Sequence, residues 1–88
     1  MVAEDAAAQI AEAIRDHRGV ETWVSRADLL QYLPTGLAAL LAGKNRARDL
    51  DRIFDFKPEM AIEGVGVLKR IAGRGPAGTK LMLSKNEG

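Results

Sequence analysis

The residues best suited to chemistry in this 88-residue chain are basic, and they cluster in one region. From Gly64 to Lys85 the sequence holds five Lys or Arg residues and no Asp or Glu, although the net charge of the chain is only +1. Exposed cations attract polyanions, because each phosphate contact releases condensed counterions. This region is therefore the first candidate for a polyanion-binding surface.

Residues 73–80 of this region read GRGPAGTK, and Gly73 and Gly78 have the spacing of the glycines in a nucleotide-binding phosphate loop. That loop needs a lysine directly before Ser or Thr, and it must open a helix whose amides surround the phosphates. Here Thr79 precedes Lys80 and a strand pattern follows. The sequence therefore predicts the glycine-rich tip of a hairpin and no nucleotide site.

The roles of Arg74 and of the arginines near residue 50 each have two possible interpretations. Arg74 lies between glycines, where it could enter a DNA minor groove or remain a solvated loop residue. Arginines on a helix near residue 50 could contact bases or phosphates, or could pair with aspartates three or four positions away. The residues of this helix are Arg46, Arg48 and Arg52 with Asp49, Asp51 and Asp55.

Catalytic and metal chemistry lack the side chains that they need. His17 is the single histidine and the chain has no cysteine, which excludes multi-histidine and thiolate metal sites. No nucleophile is placed for His17, which we expect on the surface at the end of a helix. Asp51 and Asp55 are better explained as charge partners than as cation ligands. We expect no enzyme and no cofactor.

Trp23 and Tyr32 could serve as stacking platforms for single-stranded bases. Both are flanked by apolar residues, so the sequence favours packing in the core. We therefore predict them as core residues.

The elements that position these residues follow from hydrophobic periodicity. Small and apolar side chains recur at three- and four-residue steps from Ala3 to Ile14, which predicts a helix ending near His17 with Gly19 beyond it. Val20–Val24 predicts a short strand. The predicted core contains Ile10, Ile14, Leu29, Leu30, Leu50, Ile53 and Leu81.

The middle of the chain predicts further helices. Ser25 suits an N-cap for a helix over Arg26–Leu33, which Pro34 ends. Thr35 can then cap a leucine-rich stretch that Gly43 stops, and Asn45 can start a helix that runs up to Pro58. Whether residues 36–56 form one helix or two stays open.

The last part of the chain changes to strand periodicity. Val65–Ile71 and Thr79–Leu83 alternate on either side of the glycine-rich stretch, which predicts a β-hairpin. We predict an α+β fold with one domain over residues 1–85 and a disordered tail at 86–88.

The order helix, short strand, helix, helix and hairpin with a basic loop resembles the winged helix-turn-helix superfamily, over about Ala3 to Lys85. In that superfamily the third helix commonly enters the major groove, and the hairpin, called the wing, contacts the backbone or the minor groove. The chain departs from the pattern by the extra stretch Thr35–Ala42. The resemblance implies that the nucleic-acid-binding residues are Lys44, Asn45, Arg46, Arg48, Arg52, Lys69, Arg70, Arg74 and Lys80.

Our leading hypothesis is a DNA-binding winged helix that contacts duplex DNA, either as a small regulator or as a module of a replication or mobile-element protein. The alternative is a protein-interaction adaptor or homodimer that uses Leu37, Leu40 and Leu41 of segment 35–42. We expect a cytoplasmic location without membrane contact, because no apolar run could cross a bilayer and Glu4 and Asp5 stand where a signal peptide would be basic.

Overall fold

The computed structural model describes residues 3–42, 51–55, 57–71 and 79–85. The described chain forms a small α+β domain with a four-stranded antiparallel sheet, in the order β1-β4-β3-β2. This confirms the predicted fold class. In chain order the elements are α1 Ala3–His17, β1 Val24–Ser25, α2 Arg26–Leu30, α3 Thr35–Ala42, β2 Glu59–Ile62, β3 Gly66–Ile71 and β4 Lys80–Ser84.

Helix α1 confirms the predicted end at His17. Its apolar face is buried, with Ile10 and Ile14 fully inaccessible to solvent. Beyond its end, the amides of Arg18 and Gly19 both donate to the Ile14 carbonyl at 2.8 Å. Gly19 has φ 84°, a conformation that glycine adopts without steric cost, so the chain can reverse direction here.

Strand β1 begins later than the predicted Val20–Val24, because Glu21 has φ 61° and interrupts the extended chain. The predicted cap at Ser25 is confirmed. Ser25 is extended, and its hydroxyl oxygen accepts from the amide of Asp28 at 3.1 Å. This bond satisfies one of the free amides at the start of α2.

Helix α2 ends at Leu30, three residues earlier than predicted. The amides of Gln31 and Tyr32 donate to carbonyls three residues back, at 3.2 and 2.9 Å, so the chain tightens into a shorter turn before Pro34. The Arg26 guanidinium donates to the Leu41 carbonyl at 3.2 Å and thereby joins α2 to the end of α3.

Helix α3 starts at Thr35, so the residue predicted as its cap is already helical. The Pro34 carbonyl accepts from the amide of Ala38 at 2.9 Å, which places the cap one residue earlier. Leu37 and Leu41 are fully buried in the core. The predicted stop at Gly43 and restart at Asn45 lie outside the described residues.

The end of the next helix is described at residues 51–53, which are helical. Ile53 and Phe54 are buried, as their predicted shared face requires. Asp55 follows with φ 52°, so the helix ends well before Pro58. Leu50, a predicted core residue, lies outside the described residues.

The β-hairpin is confirmed. Strands β3 and β4 pair in antiparallel register from Val67 opposite Ser84 to Ile71 opposite Lys80. Strand β2 was not predicted. It pairs with β3 across a tight turn in which the Val65 amide donates to the Ile62 carbonyl at 3.0 Å and Gly64 has φ 78°.

The two faces of the sheet differ in character because side chains alternate along each strand. The inner face packs against α1 and includes Val24, Met60, Ile62, Leu68, Leu81 and Leu83. The opposite face, called here the outer face, carries Ser25, Glu59, Ala61, Val67, Lys69, Ile71, Lys80, Met82 and Ser84. Four of these residues, Glu59, Ala61, Ile71 and Lys80, are exposed, so this face is open to solvent there. Among the predicted core residues, Leu30 is only half-buried.

Candidate nucleic-acid interface

The predicted nucleic-acid-binding residues divide into two groups. The described chain contains Arg52, Lys69, Arg70 and Lys80. The other predicted positions, Lys44, Asn45, Arg46, Arg48 and Arg74, lie outside the described residues, so their roles stay predictions.

Lys69 and Lys80 lie on the outer face of the sheet. Lys69 pairs with Met82, and Lys80 pairs with Ile71, so the two lysines are on neighbouring strands and on the same side. Lys80 is exposed and Lys69 is half-buried. Their ammonium groups are therefore available to one ligand approaching this face.

Arg70 lies on the inner side of the same strand, and its charge is engaged within the domain. Its Nη1 atom is 2.6 Å from Oδ1 of Asp51, and its Nε donates to the Lys57 carbonyl at 3.1 Å. The guanidinium carbon also lies 5.1 Å from the centre of the Phe54 ring. Only 17% of the Arg70 side chain is exposed.

These contacts make Arg70 a link between β3 and the helix that ends at residue 53. Asp51 belongs to that helix and Phe54 follows it directly, while the Arg70 amide also donates to the Pro58 carbonyl at 3.0 Å. A guanidinium held by a carboxylate, a carbonyl and a ring has little capacity left for a phosphate. We therefore leave Arg70 out of the interface that we propose. Asp51, which the sequence could pair with arginines of its own helix, is paired with this arginine of the sheet.

Arg52 is exposed, but its surroundings are of mixed charge. It lines an open groove of about 710 Å³ between the end of its helix, β2 and Ala8 of α1. The charged residues of the groove are Arg52, Asp55, Lys57, Glu59 and Glu63. The Lys57 ammonium lies 3.7 Å from an oxygen of Asp55. Since acids outnumber bases in this groove, it is a poor site for a phosphate chain.

Glu21 performs a structural role that the sequence analysis missed. Its amide donates to the Leu83 carbonyl at 2.7 Å, and its carboxylate accepts from the Ser84 hydroxyl at 3.4 Å and from the Lys85 amide at 3.2 Å. Glu21 therefore fastens the chain before β1 to the end of β4. No local sequence signal identifies it, because its partners are more than 60 positions away.

The two aromatic residues predicted in the core have different outcomes. Trp23 is 42% exposed, so the prediction that it packs in the core is wrong. Tyr32 is half-buried against the core, and its ring stacks on the His17 imidazole with 4.4 Å between centroids and 7° between planes. His17 is exposed, as predicted.

No protein-family model matches the chain, and no curated protein or solved structure matches it either. Within the described ranges, no helix is both long and apolar enough to cross a lipid bilayer.

Proposed function

We propose that this chain is a winged-helix domain that binds duplex DNA through the β3–β4 hairpin. The observation that carries the proposal is the pairing of β1 with β4, combined with two solvent-accessible lysines on the hairpin. Neither feature alone is sufficient, because winged helices also serve as protein-interaction modules.

The sheet order supports the fold assignment. A winged helix places its first strand beside the last strand of the hairpin, and here β1 pairs with β4 while β4 pairs with β3. Between β1 and β2 the chain forms α2, α3 and a further helical segment that ends at residue 53. This is one helix more than the winged-helix pattern has. Strand β2 adds a fourth strand at the far edge.

The charge of the hairpin supports DNA as its ligand. Ile71 and Lys80 are paired, so the basic, glycine-rich residues 72–78 join the two strands at the end where Lys80 is exposed. Lys69 lies on the same face, two pairs further from that end. Contacts between lysine ammonium groups and phosphates supply affinity for the DNA backbone without sequence preference.

The adaptor alternative loses its main support in the structure. Two of the three leucines on which it rests, Leu37 and Leu41, are fully buried and contribute to the core. A ridge for a partner needs exposed apolar area, which these two side chains do not provide.

The test is the salt dependence of duplex binding, measured by fluorescence anisotropy with a labelled duplex. If three to five phosphates are neutralised, log K falls with log salt with a slope of about −3 to −4.5. Replacing Lys69 and Lys80 by alanine together should make the slope shallower by up to about two units. Arg15→Ala is the control, because Arg15 is an exposed cation beside Asp16 on helix α1, which packs against the inner face of the sheet.

Two results would contradict the proposal. One is a folded domain that does not bind duplex DNA even at low salt. The other is a slope that changes equally in the control and in the double variant, because this would reflect net charge alone and not a contact at the hairpin.

A further inference from the structure

Two large apolar side chains of the described residues are conspicuously exposed, Trp23 at 42% and Ile71 at 52%. Both belong to the outer side of the sheet. Ile71 is on the outer face by its pairing with Lys80. Val24 faces the core opposite Leu81, so the preceding residue, Trp23, is directed to the other side by the alternation of an extended chain.

The register of β1 and β4, continued one position beyond the last paired residue Val24, brings Trp23 into a row with two residues of the neighbouring strands. Counting back one position from the Val24–Leu81 pair brings Trp23 beside Met82, and Met82 pairs with Lys69. Since strands are about 4.8 Å apart, the backbones at Trp23 and Lys69 are separated by about 10 Å. Lys80 lies in the adjacent row, between Ser25 and Ile71.

Met82 and Ser84 of this face are buried, whereas Trp23, Ile71 and Lys80 are exposed. An exposed indole ring with lysines beside it suits a nucleic-acid strand whose bases and phosphates are both accessible. Bases stack on aromatic faces, and phosphates are attracted by the ammonium groups of a basic groove. A base-paired duplex keeps its base faces stacked inside the helix, so a single strand matches this combination better.

Charge also argues against a second copy of this chain as the occupant. A symmetric dimer through the outer face would bring Lys69 and Lys80 of one copy close to the same lysines of the other. Two carboxylates are described at the outer face: that of Glu59, opposite Lys69 at the far edge of the sheet, and that of Glu21, which accepts from the hydroxyl of Ser84. Lys80 lies between Ser25 and Ile71, and Glu21 is held by Ser84 and the Lys85 amide, so the positive charge at Lys80 favours a polyanion over a like-charged surface.

We propose that the outer face binds single-stranded nucleic acid, with a base stacked on Trp23 and the backbone phosphates at Lys69 and Lys80. This extends the proposed function from duplexes to single strands and shares its two lysines, but it rests separately on the exposed indole.

The experiment uses the intrinsic fluorescence of Trp23, the single tryptophan of the chain. Titration with an oligothymidylate should quench its emission, whereas a blunt hairpin duplex should quench it much less. In parallel, anisotropy of a labelled oligothymidylate should show that Trp23→Leu weakens single-strand binding by about 5- to 150-fold, the range that one base–aromatic stack supplies. Trp23→Phe should recover part of this loss, and circular dichroism checks that both variants fold.

Controls separate this site from general charge. Arg15→Ala, on helix α1, should leave single-strand affinity within about twofold of the wild type, while the Lys69→Ala and Lys80→Ala pair should reduce it and make its salt slope shallower. Polyglutamate, an anion without bases, should leave the Trp23 emission unchanged.

Three outcomes would overturn the inference. They are unchanged single-strand affinity in a folded Trp23→Leu variant, equal quenching by polyglutamate, and a blue shift of Trp23 emission that grows with protein concentration alone, which would assign the face to a second copy. If duplex binding fails while oligothymidylate quenching persists, the proposed function is wrong and this inference stands. The reverse result removes only the single-strand site.

Discussion

Replacing Arg70 by alanine should destabilise the domain without changing how its DNA affinity depends on salt. Arg70 lies at the centre of the contacts that join β3 to the helix ending at residue 53. Its guanidinium is turned to the inner side of the sheet, away from Lys69 and Lys80. The sequence alone assigned Arg70 to DNA, so the experiment separates two roles for one residue.

The expected magnitude follows from three contacts. Exposed ion pairs contribute about 0.2 to 1 kcal/mol and hydrogen bonds to charged groups about 1.5 to 3 kcal/mol. The Arg70–Asp51 pair, with 17% and 43% of the side chains exposed, lies between these limits at about 1 to 2 kcal/mol. The bond to the Lys57 carbonyl and the contact with the Phe54 ring add about 0.5 to 1 kcal/mol each. Arg70→Ala should therefore cost about 2 to 4 kcal/mol.

Urea denaturation followed by circular dichroism gives the free energies, and a double-mutant cycle with Asp51→Asn isolates the pair. We expect a coupling energy of about 1 to 2 kcal/mol between the two residues. A coupling energy below about 0.3 kcal/mol, together with a salt slope that becomes shallower by about one unit in Arg70→Ala, would refute the reasoning and return Arg70 to the DNA interface.

Three further substitutions test the fold. Ser25→Ala should lower the free energy of unfolding by about 0.5 to 2 kcal/mol and speed hydrogen exchange at the Asp28 amide, and unchanged exchange there would disprove the cap. Leu37→Ala should cost about 2 to 5 kcal/mol in urea melts, and a loss below about 0.5 kcal/mol would contradict its burial. Gly66→Ala should cost at least about 1 to 3 kcal/mol, because Gly66 has φ 153° and an added Cβ would collide with the Ser84 carbonyl. Gly36→Ala is its control: Gly36 is helical with open space around it, so alanine there should stabilise by up to about 1 kcal/mol, and equal losses at the two glycines would contradict the geometry at Gly66.

The elements that the sequence predicted well are those specified by local signals. Helix α1 combines a continuous apolar face with Gly19 beyond its end, and Ser25 has the side chain that caps a helix. The β3–β4 hairpin follows from strict alternation. Strand β2 was missed because it has only two large apolar residues, Met60 and Ile62. The small or acidic residues Glu59, Ala61 and Glu63 alternate with them, and Gly64 follows.

The candidate site was harder to predict because it depends on the direction of each side chain. A count of charges treats Arg70 and Lys69 alike. In the structure, the alternation along β3 directs their side chains to opposite faces of the sheet, and Arg70 contacts Asp51, 19 positions away in the sequence. Trp23 was predicted in the core from its apolar neighbours. Because Val24 is buried and side chains alternate along an extended chain, the side chain of Trp23 lies on the opposite side. The sequence could have predicted this alternation.

The central claim is that the outer-face lysines of the hairpin contact DNA, and amide chemical-shift mapping tests it most directly. A ¹⁵N-labelled domain is titrated with a short duplex at low salt, and the amide shifts are followed residue by residue. We expect the largest shifts at Lys69, Lys80 and their strand neighbours, and unchanged amides on the exposed side of α1 at Glu12 and Asp16. If saturation with duplex leaves the amide shifts of β3 and β4 unchanged, or changes only those of α1, the hairpin lysines do not contact DNA.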